Sequence, residues 1–386
     1  MAKELAYALI NPYSVAKSRT GGIIARYLSR SGLELVGASM YGPSQELAES
    51  YADLLRSNRT IDPEYTDTLA DYVLRTYVPD SGSDKRNRVL MLLFEGEDAI
   101  AKVSKVTGPL RKNMEAGETI RDTFGDFIVD KSGELVYVEP AVLIGPNRES
   151  TAEVLRLWAR HEQADAGIIE NARDTHDGSD SEKTLVIIKP DNFRFPSARP
   201  GNIIDMFSRS GLRIVAAKLH RMSCAEGEEF YGPVREVLRT KLRDKVTKEI
   251  SEAISQRLEI DLPERVMNQI GDIVAPVFGD EQFGNIVEFM TGCRPDCARV
   301  DKNEPGSERC LALVYSGGNA VSIIRSILGP TDPMQAGTGT VRRELGQNIM
   351  VNAAHASDSI ENAEREMKIV NFKDNIISKI VEQYYP

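Results

Sequence analysis

Of the four histidines in this sequence, His161, His176, His220 and His355, the last stands in a context suited to covalent chemistry. His355 lies in NIMVNAAHASDSIENAERE, with Asn352 three residues before it, Ser357 two after it and Glu366 on the helix that should follow. A histidine at a strand-to-helix junction becomes nucleophilic when a carboxylate fixes one ring nitrogen and the other keeps its lone pair. Lys189 ends a β-rich run in VIIKPD, Arg325 lies in IIRSILGPTDP, and Thr331 and Arg342 follow. Three cations and a hydroxyl suit one phosphate-binding cleft, because phosphoryl transfer depends on positioning and charge neutralisation. Taken singly, each cation reads as a solvated surface charge. Taken with His355, the set reads as a phosphoryl-transfer site.

The elements that must position these residues follow from an internal repeat. Residues Leu9–Ala38 match Ile187–Ala217, including the shared stretch Ser-Arg-Ser-Gly-Leu at Ser29–Leu33 and Ser208–Leu212. Tyr51 in AESYADL then matches Tyr231 in EEFYGPV, and the surroundings of Arg121 echo those of Arg342. Each unit opens with a β-rich run (Tyr7–Ile10; Leu185–Ile188) and a loop containing proline. Paired apolar residues at helical spacing come next (Ile23, Ile24, Tyr27, Leu28; Ile203, Ile204, Phe207), stopped by Gly32 or Gly211. Later strands at Arg88–Phe94 and Cys310–Tyr315 complete a β-α-β-β-α-β pattern, which is an antiparallel sheet with helices on one face. The expected fold is therefore α+β, with two tandem ferredoxin-like (βαββαβ) domains over 1–165 and 184–386 and a linker over 166–183. Within the linker region, Asn171–Lys183 is polar. Ser150 and Glu153 suggest a capping box for the helix before it. An insertion over about 234–277 repeats apolar residues every fourth position, from Val234 to Leu258, and predicts one long amphipathic helix.

Composition narrows the function classes. With 48 Lys and Arg against 58 Asp and Glu over 386 residues, the net charge of −10 disfavours nucleic acid and anionic membrane as partners. The start, MAKELAYALINPY, lacks the long apolar core of a secretory signal, and no apolar run approaches the roughly 20 residues of a membrane span. Four cysteines without paired metal spacing suit a reduced, cytoplasmic protein with no protein-held metal.

With these residues assembled, the sequence resembles the nucleoside diphosphate kinases over roughly Leu5–Trp158 and Thr184–Phe372, apart from insertions. The family string N-x-x-H-G-S-D stands here as NAAHASD, with Ala356 in place of glycine. The resemblance implies that His355 is phosphorylated, that Glu366 orients it, and that Ser357 supports the pair. It further implies that Lys189, Arg325, Thr331 and Arg342 hold nucleotide phosphates, that Asn352 binds the ribose hydroxyl, and that Tyr231 stands beside the transferred phosphate. The aromatic that stacks on the base falls near Phe283, although strict alignment puts Gln282 there. The implied reaction moves the terminal phosphate of ATP or another nucleoside triphosphate to a nucleoside diphosphate, with Mg²⁺ travelling on the nucleotide. A homo-oligomer and an internal pseudo-dimer of the two repeats are implied as well.

The first repeat departs from the family pattern, with Asn11 at the lysine position, Ser104 (beside Lys105) at the first arginine position and Leu143 at the histidine position. It is expected to be a degenerate pseudo-domain, although Tyr51 and Arg121 remain. His176 in THDGSDS imitates the active-site string and reads as a solvated linker histidine. Two other classes compete with the kinase reading: a nucleotide-sensing module with little turnover, and an interaction protein that uses the first repeat and the long helix.

Overall fold

The computed structural model describes residues 3–57, 65–110, 117–173, 181–297 and 301–386; His176 lies outside them. Ten strands are present in the described residues. In the first repeat these are β1 (Glu4–Ile10), β2 (Glu34–Tyr41), β3 (Val89–Gly96), β4 (Asp126–Val129), β5 (Leu135–Glu139) and β6 (Val142–Ile144). The second repeat supplies β7 (Ser181–Ile188), β8 (Arg213–His220), β9 (Cys310–Gly318) and β10 (Ala354–Ala356). Within each repeat the order is second, third, first, fourth: β2-β3-β1-β6 and β8-β9-β7-β10. That is the ferredoxin-like arrangement the repeat pattern predicts. The central strands β1, β3, β7 and β9 read as unbroken apolar runs because they are buried through most of their length.

The two repeats share one eight-stranded sheet, joined where β2 meets β8 with Ser39 opposite Lys218. Above this seam the helices Thr20–Arg30 and Arg199–Ser208 pack against each other. Their contact requires glycine: a Cβ on Gly21 would stand 2.5 Å from the Gly201 carbonyl oxygen, and one on Gly201 would collide with the Gly21 carbonyl. The C-terminal helix Ile376–Tyr384 crosses to the first repeat, burying Ile377 and Val381 in the core that holds Trp158. Its N-terminus is capped from the first repeat by Glu162, whose carboxylate accepts from the Ile377 and Ser378 amides at 2.8 and 2.7 Å. The first repeat's core is thus completed by the end of the second.

Compactness divides the chain into a sheet-bearing unit, Met1–Leu219 with Leu311–Pro386, and a helical unit, His220–Cys310, inserted between β8 and β9. The single long helix expected here is instead three: Cys224–Lys241, Arg243–Leu258 and Glu264–Thr291. Glu259 adopts a left-handed conformation (φ 54°), and Pro263 at the next N-cap cannot continue a helix from before it. The periodicity from Val234 to Leu258 ran across the first break because Leu242 keeps right-handed helical dihedrals there. Two local readings also change. The helix Arg148–Arg160 is capped by Asn147, which accepts from the Ser150 amide at 2.9 Å, so Ser150 lies inside the first turn and makes no capping box. β7 begins at Ser181, within the polar stretch read as linker. Among the described residues, no helix is long and apolar enough to cross a membrane.

The helix crossing has a diagnostic sign. Alanine in place of glycine ordinarily favours a helix by about 1 kcal/mol, whereas Gly201→Ala should lower stability by about 1–3 kcal/mol through overpacking. Urea denaturation measures this, and an unchanged or raised midpoint would refute the packing account.

Candidate active site

The site begins where β7 runs out. Pairing of β10 with β7 sets His355 opposite Ile187, and the Lys189 amide donates to the Ala353 carbonyl at 3.0 Å. Ala353 has a positive φ of 72°, an uncommon conformation for a residue with a Cβ, and it turns the chain from the loop into β10. Asn352, 1% exposed, fixes that loop: its amide nitrogen donates to the Thr331 and Ile349 carbonyls at 3.0 and 2.8 Å. Its Oδ1 accepts from Lys189 Nζ at 2.7 Å, while the same ammonium donates to the Met350 carbonyl at 3.0 Å. Two residues from distant parts of the chain thereby form one polar node.

His355 is half-buried, and its Nε2 lies 2.9 Å from Glu366 Oε2. Ser357 Oγ donates to the same oxygen at 2.7 Å, and Arg365 reaches the other carboxylate oxygen at 3.4 Å. Glu366 stands two turns into helix Ile360–Val370, whose N-cap Ser359 accepts from the Asn362 amide at 3.1 Å. Fixing the helix start just after the Ser357-Asp358 dipeptide brings Glu366 back over His355. A buried carboxylate with these donors holds the imidazole in the tautomer that carries its proton on Nε2, so the lone pair belongs to Nδ1.

The electrostatics are those of an anion site. The Lys189 ammonium is pulled down to about 8, first by burial and then by the nearby Arg342 guanidinium, with Asp191 acting in the opposite direction. Burial raises the Asp191 carboxyl, opposed by Lys189 and Arg199. Arg342 ties the Gly329 loop to β10, donating to the Gly329 carbonyl at 3.0 Å and to the Ala354 carbonyl at 3.2 Å. Arg325 and Thr331 are exposed, one on helix Ala320–Leu328 and the other in the loop after it. The structure thus brings Lys189, Thr331, Arg342 and Asn352 into one bonded framework beside the His355, Ser357 and Glu366 group.

Tyr231 and Phe283 belong to the helical unit. Tyr231 packs on Phe230 with ring centres 4.9 Å apart, and Phe283 is buried with the Arg235 guanidinium 5.3 Å from its ring centre. Three residues of the framework were not read from the sequence. Asn192 donates to the Ala353 carbonyl at 2.8 Å, Arg199 bridges Asn192 and the Leu345 carbonyl, and Arg365 contacts Glu366. Only the two arginines could have been flagged, as cations flanking recognised motifs.

The first repeat repeats this geometry with different side chains. Leu143 stands opposite Leu9 as His355 stands opposite Ile187, and the Asn11 amide donates to the left-handed Ala141 as Lys189 does to Ala353. Counting from the caps Asn147 and Ser359, Gly145 takes the place of Ser357 and Val154 that of Glu366. Arg121 makes the same two bonds as Arg342, to the Gly108 and Val142 carbonyls at 3.0 and 3.5 Å. An added hairpin, β4–β5, ends in the buried Glu139, which accepts from Tyr72 at 2.7 Å and Asn11 at 3.4 Å. Burial raises this carboxyl, with the Tyr72 bond opposing the shift.

A family model described as nucleoside diphosphate kinase matches residues 4–133, 182–257 and 302–376. Among relatives named nucleoside diphosphate kinase, that of Staphylothermus marinus is 30% identical over 197 residues, covering 51% of this chain and 96% of the relative. That of Pyrobaculum aerophilum is 32% identical over 198 residues, covering 48% and 93%. Among solved structures, the Aquifex aeolicus nucleoside diphosphate kinase is 26% identical and covers 49% of this chain and 94% of its own, with a TM-score of 0.31. An NDP kinase from Pyrobaculum aerophilum is 30% identical with the same coverage and TM-score.

Asn352→Ala removes the acceptor for Lys189 and two donated bonds from a buried position. At about 1 kcal/mol for each bond, and more for the charged one, stability should fall by about 2–4 kcal/mol in chemical denaturation. A loss below about 0.5 kcal/mol would show that the node is not structural.

Proposed function

The chain belongs to the nucleoside diphosphate kinase family, and on that premise we propose that its second repeat moves the terminal phosphate of a nucleoside triphosphate to a nucleoside diphosphate through His355. The observation that carries the reading is the Glu366 carboxylate holding His355 Nε2 at 2.9 Å beside Ser357, which gives Nδ1 the lone pair needed for attack. In the first half-reaction, Nδ1 attacks the terminal phosphorus, the bond to the bridging oxygen breaks, and that oxygen leaves with its electron pair as the diphosphate. A second nucleoside diphosphate then attacks the phosphohistidine with a terminal oxygen, and His355 recovers its lone pair.

Lys189, Arg325, Arg342 and the Thr331 hydroxyl would neutralise and position the phosphates, which is most of what phosphoryl transfer asks of a protein. Asn352 would serve the ribose through the node that it already holds. Mg²⁺ enters as part of the substrate: the chain offers cations here, and phosphate oxygens with water satisfy this ion. When bound, it spreads the charge developing on the phosphates. The proposal draws only on residues of the sheet-bearing unit. No side chain in the set reads a base edge, so purine and pyrimidine nucleotides should both serve. We read the first half, 1–165, as a silent copy of the catalytic half, which opens with β7 at Ser181. Leu143, Gly145, Val154 and Asn11 in the first half replace the nucleophile, its support, its orienting carboxylate and the lysine.

Incubation with Mg²⁺ and γ-labelled ATP, quenched in alkali, should give an acid-labile label that passes to GDP. His355→Ala should abolish it and His176→Ala leave it intact. Glu366→Gln should slow labelling about 10²- to 10⁴-fold. Label on the His355→Ala protein, or nucleotide bound without labelling in the wild type, would overturn the reading.

The lowered Lys189 value gives an independent check. Deprotonation as pH rises through about 8 removes a cation, so nucleotide affinity should fall in that range. A bound phosphate favours the ammonium, so binding near pH 8.5 should take up protons. Calorimetry in buffers of different ionisation enthalpy measures this uptake, which Lys189→Met should remove.

A further inference from the structure

The helical unit carries a feature that phosphotransfer does not use. Cys224 opens helix Cys224–Lys241, and Cys293 follows Gly292, which ends helix Glu264–Thr291 with a left-handed φ of 78°. The start of one helix and the end of another thus place the two cysteines together: the Cys224 sulfur lies 3.7 Å from the Cys293 carbonyl oxygen. Cys224 is buried and Cys293 half-buried, so one is shielded and the other open to a small reagent. Thr291 Oγ1 fixes the exposed partner by accepting from the Cys293 amide at 3.1 Å. The Lys302 ammonium, held by Glu228 at 2.9 Å, lowers the Cys224 thiol, against the larger opposing effect of burial. Of the other two cysteines, Cys310 is buried with its sulfur 3.5 Å from the His220 carbonyl, and Cys297 is half-buried.

We propose that Cys224 and Cys293 are a reversible oxidation site that closes to a disulfide when the protein meets a hydroperoxide. Cys293, as thiolate, attacks one peroxide oxygen; the O–O bond breaks, and the departing oxygen takes a proton and leaves as water, giving a sulfenic acid. The Cys224 sulfur then attacks the Cys293 sulfur, the S–O bond breaks, and the oxygen leaves as a second water with the Cys224 proton. In sum, two thiols and one hydrogen peroxide give one disulfide and two waters. Burial pushes the Cys224 thiol up to about 11, which makes it the poorer nucleophile and leaves the first attack to Cys293; Cys224 gives up its proton as it attacks in the second step. The bridge would tie together the two ends of the helical unit, closing a loop that contains all three of its helices.

The test is peptide mass mapping of the reduced full-length protein after treatment with a small excess of hydrogen peroxide and alkylation. The expected result is loss of two of the four thiols, a Cys224–Cys293 cross-link, full reversal by dithiothreitol and a higher melting temperature for the oxidised form. Cys293→Ser should abolish the cross-link, whereas Cys297→Ser should leave it unchanged. Cys224→Ser should leave a Cys293 sulfenic acid that dimedone traps; should that variant not fold, the wild-type map decides. A cross-link that uses Cys297, a wild-type Cys293 that stops at the sulfenic or sulfinic acid, or four intact thiols would each overturn the proposal. Because the readout is mass, the result stands whatever the phosphotransfer assay returns.

Discussion

Everything around His355 turns on one strand pairing. β10 is three residues long, yet its pairing with β7 brings Ala353, His355 and Ser357 against the end of a strand that precedes them by more than 160 positions. The 91-residue helical unit, His220–Cys310, intervenes in sequence without breaking that pairing, because it leaves from the end of β8 and returns at the start of β9. Insertions at strand ends are tolerated because closing a longer loop adds little entropic cost. Short pairing alone would be weak, and the polar node of Asn352 and Lys189 reinforces it from the loop side. Arg342 does the same from the Gly329 loop. The cations that suit phosphate are therefore also the braces that hold the strand of His355 in register.

The first repeat separates these two roles. It keeps the pairing, the left-handed alanine and the bracing arginine, but Leu143, at the register of His355, is 2% exposed and Val154, at that of Glu366, is also 2% exposed. An imidazole and a carboxylate placed in that environment would need the bonds that Ser357 and Arg365 supply in the second repeat. In the first repeat Asn11, Tyr72, Tyr77 and Glu139 form a bonded polar core, with Tyr77 donating to Asn11 at 2.7 Å and Tyr72 to Glu139 at 2.7 Å. Apolar side chains are buried there at the positions that hold His355 and Glu366 in the second repeat. The first repeat also depends on the second through the seam at β2 and β8 and through the C-terminal helix capped by Glu162, so the two repeats are structurally required by each other.

The sequence by itself determined the repeat and its strand order and singled out a set of residues suited to phosphoryl transfer, because these are encoded by local patterning and by residue types whose chemistry is specific. Gly32 and Gly211 marked helix ends where the chain takes positive φ of 65° and 74°. The spacing of Asn352, His355, Ser357 and Glu366 anticipated their convergence, since a short strand, a cap and two helical turns leave little freedom. The tertiary structure alone decided what depends on distant partners. It ended the long insertion helix at Glu259 and moved a cap from Ser150 to Asn147, where one residue's backbone conformation outweighs side-chain periodicity. It drew Asn192, Arg199 and Arg365 into the site framework, joined the two sheets through glycines whose neighbours lie 180 positions away, and set two thiols side by side across the helical unit. Such contacts are made between surfaces, and no period or spacing along a chain records which surfaces will meet.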